Sequence, residues 1–72
     1  MPQTEEIDIV VNGRPRTAPA GLNVVELLRF LELTPDRVAV ELNRSIVRKP
    51  EWESTVVAGG AQLEIVQFVG GG

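Results

Sequence analysis

The chain has no cysteine and no histidine, no tyrosine, one tryptophan and two phenylalanines. Without cysteine there is no disulfide framework, no thiolate metal site and no redox pair, the usage expected of a cytoplasmic protein. With histidine and tyrosine missing as well, most of the usual nucleophiles and general bases are gone. Carboxylates remain, but the ten Asp and Glu are spread singly and read as solvated surface. The chain is therefore expected not to be an enzyme by itself, and it presents no candidate metal ligands. No apolar run approaches the ~20 residues of a membrane span, and Met1–Val10 carries no charged-then-apolar leader, so no membrane partner is expected. Seven Lys and Arg are scattered along a chain of net charge −3, which argues against nucleic acid as a partner.

What is present is enough for one small domain. A hydrophobic fraction of 43% supports a folded core rather than disorder, and 72 residues sit near the lower size limit for such a core. Ile7, Ile9 and Val11 alternate on one face of a half-buried strand. Asn12-Gly13 comes next, and both residues tolerate the positive φ of a tight hairpin turn. The returning strand, Arg14 to Thr17, contains Pro15, which cannot donate a ladder hydrogen bond and places this strand at a sheet edge. Pro19-Ala20-Gly21 is expected to break the sheet.

The next element is a helix. Asn23 and Glu26 have the spacing of a capping box, with Leu22 and Leu27 as a hydrophobic staple. Val24, Leu27, Leu28 and Leu31 form one apolar stripe, with Val25, Arg29 and Glu32 on or near the opposite face. Pro35 disfavours helical geometry at Thr34, so the helix is expected to stop near Leu33. Val38, Val40 and Leu42 mark an alternating strand facing inward. Asn43-Arg44 reads as a tight turn, or as a longer loop given that Arg44 is a poor residue for positive φ. Ser45-Ile46-Val47 is a short partner strand. Arg48 to Ser54 is expected to be irregular, pinned by Trp52, with a brief extended piece at Thr55–Val57 and a turn at Ala58-Gly59-Gly60.

The chain closes on Leu63-Glu64-Ile65-Val66-Gln67-Phe68-Val69-Gly70-Gly71-Gly72. Burying Glu64 is costly, so Leu63, Ile65, Gln67 and Val69 are expected to face the helix. Glu64, Val66 and Phe68 then point outward, two large apolar groups just upstream of three glycines, and are read as a partner surface. A glycine run after a strand is a thin, limp tether. The expected division is one domain over residues 1–69 and a flexible tail of Gly70, Gly71 and Gly72.

One helical stripe across one sheet is a two-layer α+β domain. A β-grasp arrangement, with the last strand in mid-sheet beside the first, accommodates the element order and the edge character of Pro15. Over most of Ile7 to Gly72 the chain resembles the ubiquitin-like sulfur carriers, and most of all those of thiamin biosynthesis. The resemblance rests on Asn12-Gly13, Val24-Val25-Glu26-Leu27-Leu28 and Val38-Ala39-Val40-Glu41-Leu42-Asn43. Ile46-Val47-Arg48 with Trp52 after it, then Glu64-Ile65-Val66 and the final Gly71-Gly72, complete it. One departure is Gly60-Ala61, where that family usually has Gly-Asp before the last strand.

The resemblance implies a ubiquitin-like β-grasp fold, a mixed sheet of four to five strands packed on one main helix. It also implies a chemistry. An E1-like adenylating enzyme would use Mg-ATP to convert the Gly72 carboxylate to an acyl-adenylate. Sulfur from a donor system would then replace AMP, leaving a thiocarboxylate on Gly72 that thiazole synthase consumes. The carrier would bind no cofactor of its own and contribute no catalytic side chain. Glycine at the last two positions minimises crowding where in-line geometry tolerates little. Alternatives on the same fold are a small subunit of molybdopterin synthase, a tRNA-thiolation carrier and a ubiquitin-like protein modifier. A small binding module with an incidental glycine end is the alternative from another class.

Overall fold

The computed structural model describes residues 5–68, so the expectations for Val69 and for Gly70, Gly71 and Gly72 lie outside the described residues. The elements run β1 (Glu6–Val11), β2 (Arg14–Pro19), α1 (Val24–Phe30), a 3-10 turn (Pro35–Arg37), β3 (Val38–Leu42), β4 (Ser45–Val47), a second 3-10 segment (Lys49–Ser54) and β5 (Gln62–Gln67). The five strands form one mixed sheet in the order β2-β1-β5-β3-β4. The last strand therefore lies in the middle, parallel to β1 on one side and antiparallel to β3 on the other. This is the ubiquitin-like β-grasp, with the expected two layers.

The helix lies on one face of this sheet and closes the core. Val24, Leu27 and Leu28 are fully buried against Ile9, Val38, Val40, Leu63 and Ile65. The α1 N-terminus carries the capping box: the Glu26 amide donates to Asn23 Oδ1 at 2.8 Å and the Asn23 amide donates to Glu26 Oε1 at 2.9 Å. Thr55–Val57 runs alongside this point, with the Val24 amide donating to the Thr55 carbonyl and the Val57 amide to the Leu22 carbonyl. Trp52 is buried, and its indole N–H donates to the Val47 carbonyl at 2.8 Å, which fixes the segment after β4 under the helix.

The structure departs from the sequence expectations in four places. The helix ends at Phe30 rather than near Leu33. Glu32 sits at φ 62°, its amide bonding to the Arg29 carbonyl while the Leu33 amide reaches the Leu28 carbonyl. This is a Schellman ending built without glycine, and it turns Leu31 and Leu33 down onto the core. Second, β2 continues through Pro19, because Ala18 opposite Ile7 buries its side chain and gains from staying in register. The break falls at Gly21, whose φ is 87°. Third, β5 ends at Gln67, which is exposed rather than directed into the core, as suits a polar amide. Fourth, Val25 is partly buried against the core because the Lys49–Ser54 segment packs beside α1.

Candidate functional site

β5 leads to the glycine tail, and both tight turns of the sheet hold it. Asn12 and Gly13 have φ of 52° and 81°, and Asn43 and Arg44 have φ of 51° and 72°. The Asn43-Arg44 link is thus the tight two-residue turn, Arg44 included. In each turn the asparagine bonds to the β5 backbone. The Asn43 amide donates to the Gln62 carbonyl at 2.7 Å, and its side-chain oxygen accepts from the Gln62 amide at 2.9 Å. Asn12 does the same from the other side, further along. Its Oδ1 accepts from the Ile65 amide at 2.7 Å and its Nδ2 donates to the Ile65 carbonyl at 3.1 Å. The β1–β5 ladder stops at Val11 and Leu63 because β1 turns away, and the Asn12 side chain continues it. Beyond Gln67 the Phe68 amide still donates to the Arg37 carbonyl at 2.7 Å. β5 is thus held on both edges as far as Ile65 and on the β3 side as far as Phe68.

The residues expected to point outward as a partner surface are exposed. Glu64, Val66 and Phe68 all lie on the sheet face away from α1, with Val66 59% and Phe68 57% exposed, whereas Leu63 and Ile65 are buried beneath them. Sequence reasoning left out Ile46, which is 74% exposed, more than either of the other two. The signal was available: a two-residue turn at Asn43-Arg44 sets Glu41 opposite Ile46, and Glu41 is opposite Glu64 in turn. Those pairings put Ile46 on the face of Glu64 and Val66. A shallow groove of ≈ 150 Å³ runs between them, walled by Ala39, Val40, Glu41, Ile46, Glu64 and Val66.

The rest of the described surface offers little chemistry. No group of three His, Cys, Asp or Glu among the described residues could hold a metal ion. The ion pair found among them joins Lys49 to Asp36, both exposed. The hydrogen bond from Lys49, and then its charge, hold the Asp36 carboxyl below its ordinary range. A larger concavity beside the edge strand, walled in part by Asp8, Pro15, Arg16 and Thr17, contains no buried unpaired polar side-chain group among the described residues. No helix among the described residues is long and apolar enough to cross a membrane.

A mixed five-stranded sheet with β5 in the middle, one helix on its inner face and exposed apolar groups on its outer face define a small β-grasp domain. Comparison with known proteins supplies the family. Residues 9–72 match the sequence model of the ThiS family, and the chain belongs to that family of sulfur carriers of thiamin biosynthesis. It is 30% identical over 66 residues to the sulfur carrier protein ThiS of Escherichia coli, covering 92% of this chain and all of that one. A crystal structure of the thiamine biosynthesis protein ThiS from Geobacter metallireducens superimposes with a TM-score of 0.79 at 36% identity, covering 92% of this chain and 100% of the other. The chain is also 39% identical over 64 residues to a thiazole synthase of Magnetococcus marinus. That match takes in 89% of this chain but only 20% of the synthase, so the chain spans about a fifth of that relative.

Proposed function

We propose that this protein carries sulfur as a thiocarboxylate on Gly72 and delivers it for synthesis of the thiamin thiazole. A carboxylate is a poor electrophile, so an E1-like adenylating enzyme with bound Mg-ATP would join AMP to the Gly72 carboxyl and release pyrophosphate. A sulfur nucleophile from the donor system then attacks the acyl carbon and AMP leaves, placing sulfur on the terminus. Thiazole synthase takes that sulfur, and an oxygen from its substrate or from water replaces it, which restores the carboxylate. On this reading Gly70 and Gly71 are the thin tether that passes through both active sites, residues 1–69 are the domain that presents it, and Glu64, Val66 and Phe68 are the docking face. The carrier holds no cofactor, and the cycle runs in the cytoplasm.

The observation that carries the reading is the strand before the glycines: β5 is held along its length, by Asn43 at Gln62, by Asn12 at Ile65 and by the Arg37 carbonyl at Phe68, yet shows solvent an apolar face immediately upstream of the glycines. A held strand and a docking face are what a tethered terminus needs to be delivered to a narrow site. The family match, which runs through residue 72, supports it. The test is complementation of a carrier-deficient, thiamin-requiring strain. The intact chain restores growth; the chain lacking Gly71 and Gly72, or extended by one bulky residue after Gly72, does not. Growth with either variant, shown by mass to be untrimmed, overturns the reading.

A further inference from the structure

The outer face pairs two acidic side chains across adjacent strands. Glu41 on β3 and Glu64 on β5 are directly opposite each other in the cross-strand register. Side chains so placed stand about 5 Å apart, and like charges there repel. Among the described residues neither glutamate has an ion-pair partner, and Glu41 is half-buried. Flanking the pair are apolar groups, Ile46 across from Glu41 and Val66 opposite Ala39, all lining the same shallow groove. A cation placed between the two carboxylates would be attracted by both.

We infer that the Glu41–Glu64 pair is a receptor for one cationic side chain of thiazole synthase, an arginine or lysine whose stem lies along Ile46 and Val66 while its head bridges both carboxylates. The inference rests on the carrier reading given above and adds to it a second docking residue, Glu41, and the chemistry of the partner group. Charge complementarity gives the sign of that group, and the apolar walls fit the hydrocarbon stem such a side chain carries. The choice of partner rests on the thiazole synthases that contain a segment similar to this chain within their own length. In those proteins the two components travel together on one polypeptide.

The test uses the opposite signs expected for stability and binding. Glu41→Gln and Glu64→Gln each remove the repulsion, so each raises Tm, by about 1–6 °C for a domain of this size. Each also weakens binding to purified thiazole synthase about tenfold or more, because a cation in the contact loses half of its partner. Glu64→Arg, which gives Glu41 an internal partner, raises Tm and abolishes binding. The wild-type Kd rises with salt, and that of the double Gln variant does so far less. An unchanged Kd in both single variants, a fall in Tm on neutralisation, or a defect confined to the adenylating enzyme would each overturn the inference. The carrier reading is scored separately by whether the wild-type chain gains sulfur at its terminus. Sulfur gained with Kd unaltered by the substitutions removes this inference alone.

Discussion

At the scale of the residue, the outer face is the place where exposure and chemistry diverge. Phe68 is a large apolar group that contributes its backbone to the sheet through the Arg37 carbonyl but leaves its ring in solvent. Phe68→Asp should therefore change folding stability by no more than ~0.5 kcal/mol, as surface substitutions do, while weakening partner binding, since aromatic anchors dominate many interfaces. Paired thermal melts and titration calorimetry check this, and a large drop in Tm would place Phe68 in the core. Asn12 behaves in the reverse way. Asn12→Gly keeps a residue suited to the positive φ of the turn but removes both hydrogen bonds to Ile65. The expected loss is about 1–3 kcal/mol for two hydrogen bonds, with faster amide exchange at Ile65 than at Leu63. Asp36 supplies a pH signature. Its pKa is depressed by Lys49, so the small stabilisation from this pair is complete above the ordinary carboxylate range and disappears as pH falls through the lowered value. An NMR titration of the Asp36 carboxyl carbon should show a midpoint below that of an unpaired aspartate, and Lys49→Met should raise it.

At the scale of the element, the two ends of α1 differ in how well the residues announce them. The N-terminus is written out in Asn23 and Glu26, and Asn23→Ala should cost about 1 kcal/mol, measured by chemical denaturation. The C-terminus is not: Glu32 adopts a left-handed conformation that glycine or asparagine usually fills, so a rule keyed to residue type passes over it and runs on to Pro35. Because glycine takes that conformation without strain, Glu32→Gly should leave stability unchanged or raise it by up to ~1 kcal/mol, unlike glycine elsewhere in a helix. The strands were legible for a simpler reason. Ile7-Ile9-Val11, Val38-Val40-Leu42 and Leu63-Ile65 alternate cleanly, and period-2 burial holds wherever one face is covered by a helix. Where alternation meets a polar side chain the rule lapses, as at Gln67. The exposed outer face was half legible: Glu64 fixed the orientation of β5, which gave Val66 and Phe68. Ile46 and Glu41 needed the register between β3 and β4, and that depended on whether Arg44 would accept φ of 72°. The side-chain clamps of Asn12 and Asn43 could not be read at all, since they join residues that only the closed sheet makes neighbours.

At the scale of the whole molecule, the topology accounts for the division of labour. Placing the last strand in the middle of the sheet buries its inner side chains in the strongest part of the core and hydrogen-bonds both its edges. Among the described residues the last core side chain is that of Ile65. Gly71 and Gly72 have no side chains to bury, so deleting them takes nothing from that core, and the melting temperature should be unchanged within error. The central claim is that sulfur is carried on the Gly72 carboxyl, and the most direct measurement is the intact mass after incubation with a partner adenylating enzyme, Mg-ATP and a sulfur source. The expected result is a mass gain equal to the exchange of one oxygen for sulfur, located at Gly72 by fragmentation and lost on subsequent incubation with thiazole synthase and its substrates. Adenylation leading only to amide bonds with lysines of other proteins, with no sulfur product, would contradict it.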